Sequence, residues 1–218
     1  MAKPQPILKT DDLSKRYEDG VLAVDHLNLN IYPGEVYCLL GANGAGKTTT
    51  INLFLNFIPP TTGTCYVNGI DVTKDPLEAK KYVSFVSENV MLYGNFTARQ
   101  NLDFFAKLGG KTNLAKNDYY QVMRRVSLQE KAFEQRVKNF SKGMRQKLGI
   151  SIAVIKDAPG ILLDEPTSGL DPKAAEEFLE ILGELKKEGK ESGRAHVCHP
   201  VTLASRMPAG GGKTHGGG

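Results

Sequence analysis

Apolar positions alternate with polar ones at the start of the chain and take up helical spacing in its middle. Ile7–Tyr17 reads as one extended run and Val21–Ile31 as a second, where Leu27, Leu29 and Ile31 alternate with polar neighbours in strand fashion. Pro33-Gly34 makes a turn. Glu35–Leu40 (EVYCLL) is a short apolar run of the kind that forms a buried strand. A helix is expected after GANGAGKTTT through about Phe57, stopped by Pro59-Pro60. Cys65–Val67 predicts a strand before an Asn68-Gly69 turn, and Tyr82–Val86 predicts another.

From residue 95 the period changes. Thr97 and Gln100 stand as a capping box for a helix over about Ala98–Leu108, ended by Gly109-Gly110. Asn117–Val126 and Ser141–Ile155 also read as helices, so residues 95–155 form a helical lobe inserted into an α/β core. Ile161–Leu163 returns to an apolar strand. Asp171 caps a last helix with Pro172 in its first position, Ala175, Phe178, Leu179, Leu182 and Leu185 as its apolar face, and Gly189 as its C-cap.

The strand–loop–helix at Gly41–Thr48 carries chemistry. Gly41, Ala42, Asn43, Gly44, Ala45, Gly46, Lys47 and Thr48 fit G-x-x-x-x-G-K-[ST] in full. Glycines let the backbone wrap phosphates with its N–H groups inward, and the helix N-terminus adds a dipole that favours anions. Lys47 is placed to reach the β- and γ-phosphates and the Thr48 hydroxyl to bind Mg²⁺. A flexible glycine turn with a stray lysine would not explain the whole motif in that context.

A second acidic pair, Asp164-Glu165, ends the apolar strand Ile161–Leu163, where ligands sit in open α/β sheets. Beside a complete phosphate loop, Asp164 is expected to hold Mg²⁺, directly or through water, and Glu165 to polarise the attacking water. A solvated loop start would be the reading of those acids if they stood alone.

Composition adds bounds. Hydrophobic residues are 40% and charged residues 24% of 218, an ordinary globular balance. The formal net charge of +4 draws on Arg194, Arg206 and Lys213 near the C-terminus, so the remainder gives no case for a nucleic-acid surface. No apolar run is long enough to span a bilayer, and the N-terminus lacks a signal-peptide core. Cys38, Cys65 and Cys198 have no paired or metal-type spacing, which suits a reducing cytosol.

GANGAGKTTT, FSKGMRQKLGISIAV and ILLDEPTSGLDP, in this order and spacing, resemble the nucleotide-binding domain of an ABC transporter over about Ile7–Lys190. The resemblance implies a P-loop NTPase core, class α/β, with an N-terminal antiparallel β subdomain and an inserted helical subdomain. It implies ATP and Mg²⁺ as cofactors and ATP hydrolysis as the activity. It assigns adenine stacking to Tyr17 and places Thr49 beside the phosphate loop. Ser141 and Gly143 match the signature loop, with Lys142 and Met144 in the same loop (FSKGM, where the family has LSGGQ); that loop completes the ATP site of a second ATP-binding domain paired head to tail, as homodimer or heterodimer. Ser168–Asp171 matches the loop through which the two sites touch. The family usually carries Gln after the strand equivalent to Tyr82–Val86; here Glu88 stands there and is expected beside Mg²⁺ with a catalytic part. Glu88 together with an SKGM-type signature tilts the reading toward an exporter. A cytoplasmic subunit on the inner face of the cell membrane, attached to a transmembrane permease, is implied, with no nucleic-acid partner.

Two other readings compete. A soluble ABC-type ATPase of DNA repair would need a long coiled coil, for which the stretch from Thr48 to Phe140 is too short, and translation-type members carry two cassettes where one is present here. A GTPase would need an N-K-x-D motif, which the sequence lacks.

Residues 191–218 fit nothing in the family. ESGRAH is too polar for the central strand expected there, so neither His196 nor His199 is expected to act as the family's switch histidine. GGGKT is no second phosphate loop, because Met207 stands where glycine is required. His196, Cys198 and His199 lack a fourth metal ligand. The domain is therefore expected to occupy residues 1–190 without its C-terminal end, followed by a non-homologous tail, disordered or artefactual. Such a chain is expected to bind nucleotide and to hydrolyse it weakly or not at all.

Overall fold

A computed structural model describes residues 5–42, 44–192 and 195–198. The described residues open with β1 (Leu8–Arg16) and β2 (Leu22–Ile31), antiparallel from Leu8↔Ile31 to Arg16↔Leu22 with register shifts after Thr10, Leu13 and Lys15. β3 (Val36–Cys38) is short and leads to the loop before α1 (Lys47–Phe54). β4 (Thr62–Val67) pairs with β1, and β5 (Ile70–Asp71) folds back on it through Asn68 and Gly69, both at positive φ (49° and 78°) as a tight hairpin turn needs. The first sheet therefore has the order β2-β1-β4-β5, all antiparallel.

α2 (Pro76–Ala79) and β6 (Val83–Val86) lead into the helical lobe. α3 (Ala98–Leu108) begins with the expected capping box: Gln100 N–H donates to Thr97 Oγ1 at 3.2 Å, and Thr97 N–H donates to Gln100 Oε1 at 2.9 Å. α4 (Lys116–Arg125) and α5 (Lys142–Lys156) follow, joined by two single-turn 3₁₀ segments. β7 (Gly160–Leu163), α6 (Pro172–Ser192) and β8 (Ala195–Cys198) are the last elements among the described residues. Asp171 Oδ1 accepts from Ala174 N–H at 2.9 Å, which is the cap expected for α6.

The second sheet is parallel, with the order β3-β8-β7-β6. β7 is buried at every position, as a central parallel strand should be. Two apolar clusters meet across it. Leu162 packs toward the first sheet with Ile51, Leu53 and Val83, while Ile161 and Leu163 pack toward Leu102, Met123, Leu148 and Phe178. The inserted helices thus share a core with the parallel sheet.

Several expectations are corrected. The expected buried strand at Glu35–Leu40 is only Val36–Cys38, at a sheet edge, and Leu40 is 77% exposed. An edge strand has a partner on one side only, so apolar composition alone does not bury it. The helix expected through Phe57 stops at Phe54, because Asn56 turns to φ +50° ahead of the prolines. On α6, Ile181 replaces Leu179 on the apolar face: Phe178, Ile181 and Leu185 are buried and Leu179 is exposed. At 3.6 residues per turn Leu179 is rotated off the stripe through 178, 181 and 185. Gly189 lies inside α6, where charged helix formers on both sides offset a glycine cost of about 1 kcal/mol. Finally, ESGRAH does not rule out a strand. The backbone of Ala195–Cys198 fills the gap between β3 and β7, with His196 opposite both Val36 and Ile161. Ladder pairing uses backbone N–H and C=O groups, so two vacant strand edges outweigh local side-chain polarity. His199 and residues 200–218 lie outside the described residues.

Candidate nucleotide site

Two glycines of the phosphate loop stand where a Cβ would collide with a neighbour. Gly46 sits at φ +79°, and a Cβ there would fall 2.0 Å from the Ala23 carbonyl oxygen of β2. A Cβ on Gly41 would meet Ala45 Cβ at 2.7 Å. The loop therefore closes tightly between β2 and the first turn of α1. Asn43, one of its expected members, lies outside the described residues.

Lys47 is buried at 7% exposure, with Nζ donating to the Gly41 and Ala42 carbonyls at 2.7 and 2.6 Å. An ammonium group thus sits inside the loop, held by backbone oxygens rather than by a carboxylate. Among the described residues no side chain caps the first turn of α1, so its N–H groups face the loop with unused donor capacity. A cation and a helix N-terminus aimed at one cavity make an anion site.

Thr48 Oγ1 donates to Asp164 Oδ1 at 3.0 Å, bringing together residues far apart in the chain. Asp164 follows β7, and its N–H donates to the Val86 carbonyl at 3.0 Å, which extends the strand pairing by one residue. A hydroxyl and a carboxylate are hard oxygen donors of the kind Mg²⁺ takes. The loop, Lys47, Thr48 and Asp164 therefore fit both a polyphosphate and its metal.

Tyr17 comes to the same place from β1. Its hydroxyl lies 3.2 Å from Thr49 Oγ1, and its ring is partly exposed beneath the Lys15 ammonium. A cavity of about 300 Å³ is lined by Tyr17, Val21 and Ala23, by Gly44, Gly46, Lys47, Thr48 and Thr49, and by Glu165. Val21 and Ala23 escaped the sequence reading. Their signal was the hairpin turn that returns β2 beside Tyr17, where Tyr17 N–H donates to the Val21 carbonyl. Glu165 adopts φ +44°, a strained conformation for a non-glycine residue, directly after Asp164.

Glu88 stands elsewhere. Its Oε1 accepts from the Ser168 hydroxyl at 2.8 Å and lies 3.6 Å from Lys142 Nζ. It lines a second cavity of about 480 Å³ with Lys142, Arg145 and Gln146. Among the described residues its carboxylate is engaged by Ser168 and Lys142, with no hydrogen bond to Thr48. Lys142 opens α5 beside Glu88. Ser141 caps α5 by accepting from Met144 N–H at 3.2 Å, and Gly143 packs toward Leu170 and Ala174. The FSKGM segment therefore lies against the loop that contains Ser168.

Residues 24–168 match the ABC transporter family. The chain belongs to the ABC transporter family. It is 41% identical over 182 residues to the bacitracin transport ATP-binding protein BcrA of Bacillus licheniformis, covering 84% of this chain and 58% of that protein. It is 38% identical over 189 residues to the ABC transporter ATP-binding protein NatA of Bacillus subtilis, covering 82% and 74%. A solved dimer of the ATP-binding cassette MJ0796, in a post-hydrolysis state bound to ADP and Pi, superposes with a TM-score of 0.75 at 26% identity, covering 89% of this chain and 88% of that one. The fold is accordingly that of an ATP-binding cassette of the ABC transporter family. No helix among the described residues is long and apolar enough to cross a membrane.

Proposed function

We propose that this chain is the ATP-hydrolysing subunit of a membrane transporter of export type, attached to the cytoplasmic face through a transmembrane permease. The observation that carries this is one cavity shared by Tyr17, the phosphate loop and Glu165, with Thr48 bonded to Asp164 at its wall. The transport names of the two Bacillus relatives support it.

In this reading the Tyr17 ring stacks on adenine. The N–H groups of Gly44, Ala45, Gly46, Lys47 and Thr48 wrap the phosphates, together with Ala42 and Asn43 of the same loop. Lys47 exchanges its two loop carbonyls for phosphate oxygens, which replaces neutral acceptors with charged ones. Thr48 and Asp164 hold Mg²⁺, which when bound neutralises charge on the phosphate oxygens. Glu165 orients a water and takes its proton as the water oxygen bonds to the γ-phosphorus and the bond to the bridging oxygen of ADP breaks. Ser141–Met144 of a second cassette, paired head to tail, closes the site over the γ-phosphate with the N-terminus of its α5. Dimerisation is then part of catalysis, and ATP joins the two copies until it is cleaved.

The transport partner needs a surface as well. The strip after Glu88 exposes Met91 (84%), and α3 exposes Leu108 (69%), along an apolar groove of about 420 Å³ that also includes Phe105 and Ile152. We assign that groove to the permease, because it adjoins the segment holding Glu88. Tagged chain extracted from membranes in mild detergent should bring a polytopic protein with it and bind MgATP in its presence. Chain recovered only from the soluble fraction would contradict the transporter reading.

A further inference from the structure

We propose that Lys142 is a positioning residue for Glu88: with Ser168 it forms a latch that holds the Glu88 carboxylate away from the Thr48–Asp164 pair. The metal-side role of Glu88 rests on the function proposed above; the latch itself rests on geometry alone.

Three segments converge on one carboxylate oxygen. The loop after β6 supplies Glu88, the loop after β7 supplies Ser168 at 2.8 Å, and the first turn of α5 supplies Lys142 at 3.6 Å. The position of Lys142 is otherwise unfavourable. It opens a helix whose first turn contains no acid, so its charge adds to the positive end of the helix dipole. Glu88, approaching from outside the helix, provides the missing negative charge. Gly169 leaves room for this contact: its φ is +64°, and a Cβ there would stand 2.9 Å from Lys142 Nζ.

The Glu88 backbone is anchored separately. Gln146, 1% exposed, donates through Nε2 to the Glu88 carbonyl. The main chain is thereby pinned, while the side chain, about 40% exposed, is held separately by Ser168 and Lys142. Lys142 and Ser168 hold the carboxylate, with Arg145 lining the same cavity, while Thr48 lines a different cavity and bonds to Asp164. Each cation competes with the other for one charge, so strengthening the latch raises the Mg²⁺ needed to draw Glu88 away. Both partners are more than a third exposed, so the competition is modest and sensitive to salt.

Two measurements test this, using Lys142→Met and Glu88→Gln singly and together. In the first, urea unfolding of the chain without nucleotide is followed at low salt. Lys142→Met should lower the midpoint when residue 88 is Glu and lower it less when residue 88 is Gln, with the difference shrinking near about 1 M salt. Equal shifts in both backgrounds overturn the latch. In the second, ATP binding is titrated with Mg²⁺. Lys142→Met should reduce the half-saturating Mg²⁺ concentration about two- to five-fold, and Glu88→Gln should remove that reduction. An unchanged or raised Mg²⁺ requirement overturns the positioning role. Absence of any Mg²⁺-dependent ATP binding in the unaltered chain would count against the proposed function instead, and the unfolding cycle would still decide the latch.

Discussion

Thr48 Oγ1 donates to Asp164 Oδ1 across 3.0 Å, tying the first turn of α1 to the residue that ends β7. Neither residue is remarkable by type. Their meeting joins two separate sequence motifs, whose Thr48 and Glu165 line one cavity beside the buried Lys47.

Asp164→Asn tests the metal half of that wall. The amide still accepts from Thr48 but has lost its charge, so the fold should hold. Charge-assisted contacts contribute about 1.5–3 kcal/mol, which predicts a Mg²⁺ requirement for ATP binding raised roughly ten- to hundredfold. An unchanged requirement, measured by titrating Mg²⁺ at fixed ATP, would remove Asp164 from the metal site.

Glu165→Gln separates binding from turnover. The side chain lines the cavity without supporting Lys47 or Thr48, so MgATP affinity should remain within a few-fold of the unaltered chain. Phosphate release in a hydrolysing preparation should fall by about 10²–10⁴, the usual worth of a positioned base. Ordinary turnover by this variant would show that another group takes the proton.

A pH-dependent contact lies in the helical lobe. The Tyr119 hydroxyl and the Lys107 ammonium both donate to Asp103, at 2.7 and 2.9 Å. Lys107 first, then Tyr119, hold the Asp103 carboxyl below its ordinary value of 3.8. Burial, then the bond to Asp103, pushes the Tyr119 phenol up to about 12. A depressed carboxyl contributes stability above its unfolded pKa and loses it as pH falls through the folded one. Asp103→Asn should therefore cost about 1 kcal/mol at neutral pH, and the difference from the unaltered chain should fade well below pH 3.8. A cost that is the same at pH 7 and in strong acid, read from urea midpoints, would contradict this.

Local signals were the legible part of the fold. The Thr97–Gln100 capping box, the Asp171 cap and the Asn68-Gly69 turn each depend on neighbours within a few residues, and each forms as its residues predict. Features set by distant neighbours were not legible. Asn101, completely buried, donates to the Tyr93 and Thr97 carbonyls and accepts from Tyr93 N–H, which stitches the segment before α3 to the helix. Its sequence neighbourhood shows only a polar residue on a helix. β8 is set by the gap between β3 and β7, and the Glu88 carboxylate by Lys142 and Ser168. Two of the residues that depart from the ABC pattern, Glu88 and Lys142, carry opposite charge, which was the available hint of their pairing.

The most direct test is calorimetric titration of MgATP into the chain and into Lys47→Ala. Lys47 loses two charge-assisted contacts in the variant, about 3 kcal/mol or more, so affinity should fall at least about a hundredfold while the circular dichroism spectrum stays the same. Equal affinity in the two folded proteins would show that the loop at Gly41–Thr48 is not the nucleotide site.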